Sequence, residues 1–164
     1  MSARTLALEP LTPDAFAPFG EVIAPDAARA NYTINGNTAH RFHALAMVET
    51  LGEGARAVLS WVRAEPRALP FEVAMLERHP LGSQAFVPLD PAVRFVVVVA
   101  ESPEAAPRAF LAERGAGVNY RRGTWHHPLI VLDRPADFLV VDREGEGANC
   151  DEISLGVSWW LASA

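Results

Sequence analysis

Apolar positions along the chain come in short blocks rather than in long periodic stretches. Beyond a first block at Glu21–Ile23 they recur at Ala57–Val62, Phe71–Leu76, Gln84–Leu89, Val93–Ala100, Arg108–Leu111, Pro128–Leu132 and Phe138–Asp142. The blocks are rich in Val, Phe, Leu and Ile, and Pro66, Pro70, Pro80, Gly82, Pro91, Pro103, Pro107, Gly115, Gly123 and Pro135 stand between them. Short β-rich blocks, closed by residues that lack an N–H or favour turns, read as strands. Many of them at this spacing predict a mainly β fold, an antiparallel sandwich or barrel. The stretch RFVVVVAE, Arg94 to Glu101, is too continuously apolar for a half-solvated strand and too short to cross a membrane. It predicts a central strand buried on both faces.

Helix signals are confined to the start. Thr12 suits an N-cap, Pro13 the first helical position and Asp14 the positive end of the dipole, so a short helix begins here and Gly20 stops it. From Asn31 to His43 the chain reads NYTINGNTAHRFH, where Asn-Gly and Gly-Asn supply the positive backbone angles of a tight turn inside a polar loop or hairpin. The tail GVSWWLASA is apolar. Trp159 and Trp160 left in water would be a liability, so the tail is expected to cap the barrel or a second copy of the chain.

Length and composition narrow the class. The chain has 164 residues, which fits one domain over 1–164. Half of the residues are hydrophobic and 21% are charged, enough apolar matter for a core without the polarity of a disordered chain. With 14 basic against 20 acidic residues the net charge is −6, so no phosphate-neutralising surface is expected and nucleic acid is not an expected partner. No stretch approaches a membrane span, the N-terminus lacks a signal-like apolar region, and the single Cys150 fits a reducing compartment; a cytoplasmic protein is expected. All the basic residues are arginine, which excludes lysine Schiff-base chemistry and leaves guanidinium forks for carboxylates.

Candidate chemistry gathers around histidines. Glu77, His79 and Gln84 are spaced E-x-H-x4-Q, and strand alternation places Glu77 and His79 on one face. The turn from Pro80 to Ser83 can fold Gln84 back beside them, and His126, in GTWHH, offers a fourth donor. One carboxylate, two imidazoles and one amide oxygen suit a first-row divalent ion such as Ni²⁺, Mn²⁺, Zn²⁺ or Fe²⁺. The plainer alternative pairs Glu77 with Arg78 or another arginine on a solvated face and leaves the histidines as ordinary polar residues. Arg78 points to the opposite face from Glu77, as a surface ion pair or a substrate contact. His127 points away from His126 and is assigned a structural hydrogen bond, and Trp125 is assigned to the core.

Four segments, INGNTAHRFHALA, LERHPLGSQAFVPL, GVNYRRGTWHHPL and DREGEGANCDE, occur in an order and spacing that resembles the ureidoglycolate lyase family of the cupin superfamily. The resemblance runs from about Leu6 to Leu155. It implies a cupin-type β-barrel, or jelly roll, with one or two short helices, usually a homodimer. It also implies cleavage of (S)-ureidoglycolate to glyoxylate and urea in allantoin catabolism, with an association with nickel. Cupins generally ligate metal through H-x-H-x4-E and P-x-G-x2-H. Laid on this chain, those positions are Glu77, His79, Gln84 and His126, with Arg121 in place of the proline and Gly123 matching the glycine. An acid at the first position and an amide at the third should weaken the site relative to three histidines and a glutamate. The family's Asn-Asn-Gly turn reads here as Asn35, Gly36 and Asn37.

Ureidoglycolate is a carbinolamide whose cleavage needs a base for the hydroxyl proton, an acid for the departing urea nitrogen and a clamp on the carboxylate. His79 and His126, the latter backed by Glu77 if metal is absent, are the expected acid–base pair, with either one as acid or base. Arg41 is the expected carboxylate clamp, and Asn35 and Asn37 are expected to read the urea end. Arg78 and Tyr120 are further substrate-binding candidates, Tyr120 with Asn119 at the mouth. Asp142, Asn149, Cys150 and Asp151 are expected in a loop that ties down the barrel. Two rivals remain at this stage: an amidohydrolase that releases ammonia, and a non-catalytic cupin that binds a small carboxylate.

Overall fold

The computed structural model describes residues 4–163. In chain order the elements are β1 (Arg4–Leu6), β2 (Leu8–Pro10), α1 (Pro13–Phe16), β3 (Gly20–Ile23), β4 (Ala30–Ile34), β5 (Ala39–His43), β6 (Arg56–Ala64), β7 (Phe71–Arg78) and β8 (Gln84–Pro88). They continue with β9 (Phe95–Ala100), β10 (Arg108–Ala112), β11 (Gly117–Tyr120), β12 (Trp125–His126), β13 (Ile130–Val131), β14 (Ala136–Glu144) and β15 (Asp151–Leu161). One sheet runs β1-β15-β7-β12-β9-β10-β2 with β13 also on β9, a second runs β3-β11-β8-β14-β6, and β4-β5 form a separate hairpin. The architecture is mainly β, that of a cupin-type barrel, with a single short α-helix among the described residues.

The stretch RFVVVVAE forms β9, and all six of its strand residues are buried. Phe95, Val97 and Val99 enter a core shared with Phe110, Val118, Tyr120, Phe138 and Val140, so this core lies between the two sheets. Val96, Val98 and Ala100 enter another core with Leu6, Val73, Leu76, Trp125 and Leu161. A strand whose two faces both reach a core must read as a continuous apolar run, because each buried aliphatic side chain adds about 1.5–3 kcal/mol.

That second core needs a cover. The N-terminal segment supplies it: β1 pairs in parallel with β15 at one end of the large sheet, β2 pairs in parallel with β10 at the other, and only Ala7 lies between them. The two edges are thereby joined by one strap. Strands of three residues leave no periodicity to read, and the strap was not expected from the sequence.

Of the four residues expected in a loop, Asn149 and Cys150 lie in one, whereas Asp142 belongs to β14 and Asp151 opens β15. β14 extends to Glu144 and β15 starts at Asp151, so only 145–150 connects them. β15 is eleven residues long and was masked in the sequence by Gly156 and by a register shift between Ser154 and Trp159. The tail is part of the barrel wall rather than a cap: it ends β15 between β1 and β7, Leu161 is fully buried and the Arg4 guanidinium lies 5.2 Å from the Trp159 ring.

In α1 the Thr12 hydroxyl accepts from the Ala15 N–H at 3.3 Å, the cap that the sequence predicts. The helix ends at Phe16 rather than at Gly20. Phe16 and Phe19 both plug the inter-sheet core, which bends the chain first. Gly20 is required by a close approach: a Cβ there would collide with the Asn119 carbonyl across the β3–β11 pair.

Candidate functional site

The register of the large sheet sets Glu77 of β7 directly opposite His126 of β12 on one side and Glu152 of β15 on the other. His126 in turn lies opposite Val99, whose side chain enters the inter-sheet core. Directly opposed residues share a face, so Glu77 and His126 project into the same space between the sheets. From the facing sheet, Tyr120 stacks on His126 with ring centroids 4.1 Å apart and planes at 14°. Gln84 opens β8 opposite Tyr120 and therefore shares its inward face. The cluster closes one end of the inter-sheet core, with donors arriving from both sheets.

Backbone carbonyls fix both imidazoles. His126 Nδ1 lies 2.9 Å from the Thr124 carbonyl, and His79 Nδ1 lies 2.7 Å from the Asn149 carbonyl. A carbonyl only accepts, so each Nδ1 carries a hydrogen and donates it. The Nε2 atoms of His79 and His126 are both buried and have no hydrogen-bond partner. They lie 3.9 and 3.4 Å from the same oxygen, Glu77 Oε1. The His126 imidazole edge facing Glu77 Oε1 is the main influence that holds the Glu77 carboxyl below its usual range, burial acts the other way, and His79 lowers it further.

These residues fit a divalent cation. Neutral imidazoles whose other nitrogen donates to a carbonyl are in the tautomer that metal sites use. Nitrogen and oxygen donors at about 2.1 Å around a tetrahedral ion stand about 3.4 Å apart, the spacing that this cluster approaches. Two orphaned nitrogens beside an ionised carboxylate also leave a buried polar deficit that such an ion would satisfy.

A hydrogen-bonded frame supports the cluster. The Asn149 side chain accepts from Leu81 N–H at 2.8 Å, so Asn149 holds the turn after His79 as well as the His79 ring. Gly123 N–H donates to the His79 carbonyl at 2.9 Å, which joins the two histidine-bearing segments. The buried Arg143 guanidinium donates to the carbonyls of Leu51, Gly145 and Glu146. It thereby anchors the segment that leads to Asn149. Sequence reasoning missed Arg143, which reads as an ordinary outward strand residue. A faint signal lies in Gly82, where a Cβ would stand 2.6 Å from Arg143 Cβ.

The model of the family described as ureidoglycolate lyase matches residues 3–162. The chain belongs to the ureidoglycolate lyase family. It is 52% identical over 159 residues to a protein of Burkholderia cepacia named ureidoglycolate lyase, covering 95% of this chain and 89% of that one. A ureidoglycolate lyase of Pseudomonas syringae pv. tomato is 51% identical over 152 residues, 91% of this chain and 89% of the relative. One of Rhizobium etli is 51% identical over 151 residues, 90% of each chain.

Against the family's expected site, the structure gathers Glu77, His79 and His126, with Gln84 on the facing strand. Other residues fall elsewhere. Arg78 pairs with Asp151 at 2.8 Å and lies 4.7 Å from the Trp125 ring, so it is the ion pair rather than a lining residue. Tyr120 is not at a mouth: it is buried in the inter-sheet core because β11 is flanked on both sides and turns this residue inward. Arg41, Asn35 and Asn37 are not brought to the cluster. They sit on the separate β4–β5 hairpin, exposed, with Asn35 and Asn37 at φ 53° and 68° forming its turn. His127 points away as expected, Nδ1 to the Pro128 carbonyl at 2.8 Å and ring edge to Phe71. Cys150 stands at the rim with Sγ 3.9 Å from Glu77 Oε2. An apolar hollow of about 450 Å³ lined by Leu8, Leu69, Leu111 and Leu132 lies apart from this chemistry, and its Arg94 is already paired with Asp133.

Proposed function

We propose that the chain, as one domain over 1–164, is a ureidoglycolate lyase that cleaves (S)-ureidoglycolate to glyoxylate and urea at Glu77, His79 and His126. The observation that carries this reading is the pair of orphaned Nε2 atoms converging on one ionised carboxylate. Glu77, His79 and His126 would hold a divalent ion, with Gln84 completing the set from β8, and nickel is the ion that we assign. Held there, the ion would supply Lewis-acid activation of the substrate's hydroxyl.

The protein's own groups do the rest. The carbonyls of Thr124 and Asn149 keep Nδ1 protonated and leave Nε2 as the only working nitrogen of each ring. Glu77 turns Oε1 to the imidazoles and Oε2 to the rim. Held ionised, that outer oxygen is a ready acceptor for the hydroxyl proton as the C=O bond forms. With no ion bound, we assign the acid toward the urea nitrogen to His126, whose Nε2 lies 3.4 Å from Glu77 Oε1.

The reading includes a cytoplasmic homodimer with neither nucleic-acid nor membrane partners. Leu59 and Trp61 on β6 and Tyr32 and Phe42 on the hairpin are large exposed apolar groups that a second copy would cover. Within one chain Arg41, Asn35 and Asn37 stay apart from the cluster, so their part in substrate binding falls to that dimer. The test is product analysis: glyoxylate and urea rising together above the spontaneous rate, with loss of rate on chelation. Ammonia in place of urea would move the reading to the amidohydrolase, and no turnover with metal-replete protein would leave only a binding module.

A further inference from the structure

The buried Arg143 stands where three segments meet, and each of them leaves out a Cβ to admit it. An added Cβ at Gly82 would lie 2.6 Å from Arg143 Cβ, and one at Gly52 or Gly145 would lie 2.9 or 3.0 Å from Arg143 Nη2. Among the described residues no carboxylate pairs with this guanidinium, which is 9% exposed and donates only to backbone carbonyls. Burying a charge in this way costs free energy that an apolar side chain filling the same space would not cost, so packing alone does not account for an arginine. A forked donor supplies direction instead: it fixes separate stretches of backbone relative to one another.

The contacts close a ring. Arg143 Nε donates to the Leu51 carbonyl at 2.7 Å, Leu51 N–H donates to the Leu81 carbonyl at 2.8 Å, and Leu81 N–H donates to the Asn149 side chain at 2.8 Å. From Asn149 the chain runs back to Glu146 and Gly145, whose carbonyls accept from the same guanidinium. The ring takes in the turn 80–83, with His79 before it and Gln84 after it, and the Asn149 carbonyl that accepts from His79 Nδ1 at 2.7 Å. We propose that Arg143 is a positioning residue for the cleavage: through Leu51 and through the link 145–149 it sets the turn between His79 and Gln84 and holds the carbonyl that orients the His79 imidazole. It acts only through these backbone groups. His126 is held by the Thr124 carbonyl and lies outside the ring. The effect on turnover rests on the role proposed above for His79, whereas the effect on the orientation of the His79 ring does not.

Arg143→Lys keeps the charge and the stem against Gly82 but replaces the fork by a single ammonium, and its kinetics are to be read beside Asn149→Ala and the double variant, with folding checked by denaturant titration. Arg143→Lys should lower kcat about tenfold and leave KM within about threefold, because misplacement of a working group spoils the reacting geometry more than it weakens binding. The double variant should fall no further than the weaker single variant, since both substitutions break one ring. In metal-free protein with isotope-labelled histidine, the His79 Nδ1–H resonance should lose its protection from solvent exchange in Arg143→Lys while that of His126 keeps it. Where the lysine variant does not fold, Gly145→Ala takes its place, because the new Cβ at 3.0 Å from Nη2 displaces the fork with every donor retained. A kcat within about twofold of the wild type, losses that multiply in the double variant, or an unchanged His79 resonance would overturn the proposal. A wild type that does not cleave ureidoglycolate would count against the proposed function alone, and the two histidine resonances would still decide whether Arg143 orients His79.

Discussion

Two regions of the molecule carry nearly the same residue types and differ in everything else. The β4–β5 hairpin holds His40 and His43 around Arg41, with Asn35 and Asn37 at its turn; the barrel end holds Glu77, His79 and His126. On the hairpin His40 Nε2 meets the Asn31 side chain at 3.0 Å, and both histidines are exposed. At the barrel end both Nδ1 atoms are tied to carbonyls, both Nε2 atoms are buried without partners, and a carboxylate sits between them. Solvated side chains already have their hydrogen bonds and gain little from a ligand. Side chains withdrawn from water in a fixed tautomer have an unmet need that a cation or a substrate can satisfy. Desolvation and fixed orientation separate a site from a polar surface.

The sharpest way to break this contrast is to remove the shared carboxylate. Glu77→Ala should abolish cation binding and lower turnover by about 10²- to 10⁴-fold, while calorimetry of metal binding checks the loss directly. The next largest effect is on folding. Tyr120→Ala empties the face on which His126 stacks and should cost about 3–5 kcal/mol in a denaturant titration, whereas Tyr120→Phe keeps the stack and should cost under about 1.5 kcal/mol. Asn149→Ala leaves Leu81 N–H without its acceptor and should cost about 1–2 kcal/mol, with a drop in turnover that exceeds any change in stability.

A pH series gives the smallest of these effects. Burial depresses the His127 imidazole, with Glu77, His126 and Arg67 as its charged neighbours. The unfolded chain therefore takes up a proton first as pH falls below about 6.5, and stability is lost from there until the folded imidazole protonates as well. Above about 6.5 the contribution is fully present. Melting temperature against pH should show this decline, and His127→Phe should flatten it.

Much of the fold was legible because β9 obeys a simple rule. A strand with two buried faces has no room for polar residues, so RFVVVVAE announces its place. The strap β1–β2 and the long β15 were not legible, since their pairing partners lie far along the chain and their own patterns are short or interrupted by Gly156. At the site, the spacing of Glu77, His79 and Gln84 pointed to one face of a strand, and the register confirms the facing of Glu77 and His126. The tethers from Thr124 and Asn149 are backbone carbonyls, which leave no trace in side-chain identity. Arg41 misled for a related reason: sequence shows a guanidinium near polar turns, while only the sheet topology shows that the hairpin stands apart.

The central claim is that the chemistry resides at the barrel end and not on the hairpin's histidines. Its most direct test is ureidoglycolate cleavage by His126→Ala beside the double variant His40→Ala/His43→Ala, at equal protein and metal. The account predicts that the first loses its turnover. The second, assayed as the dimer and at saturating substrate because the hairpin is proposed to lie at the dimer face, should keep the wild-type kcat to within about twofold, since neither histidine belongs to the cluster. Wild-type turnover in His126→Ala, with loss in the hairpin variant, would contradict it.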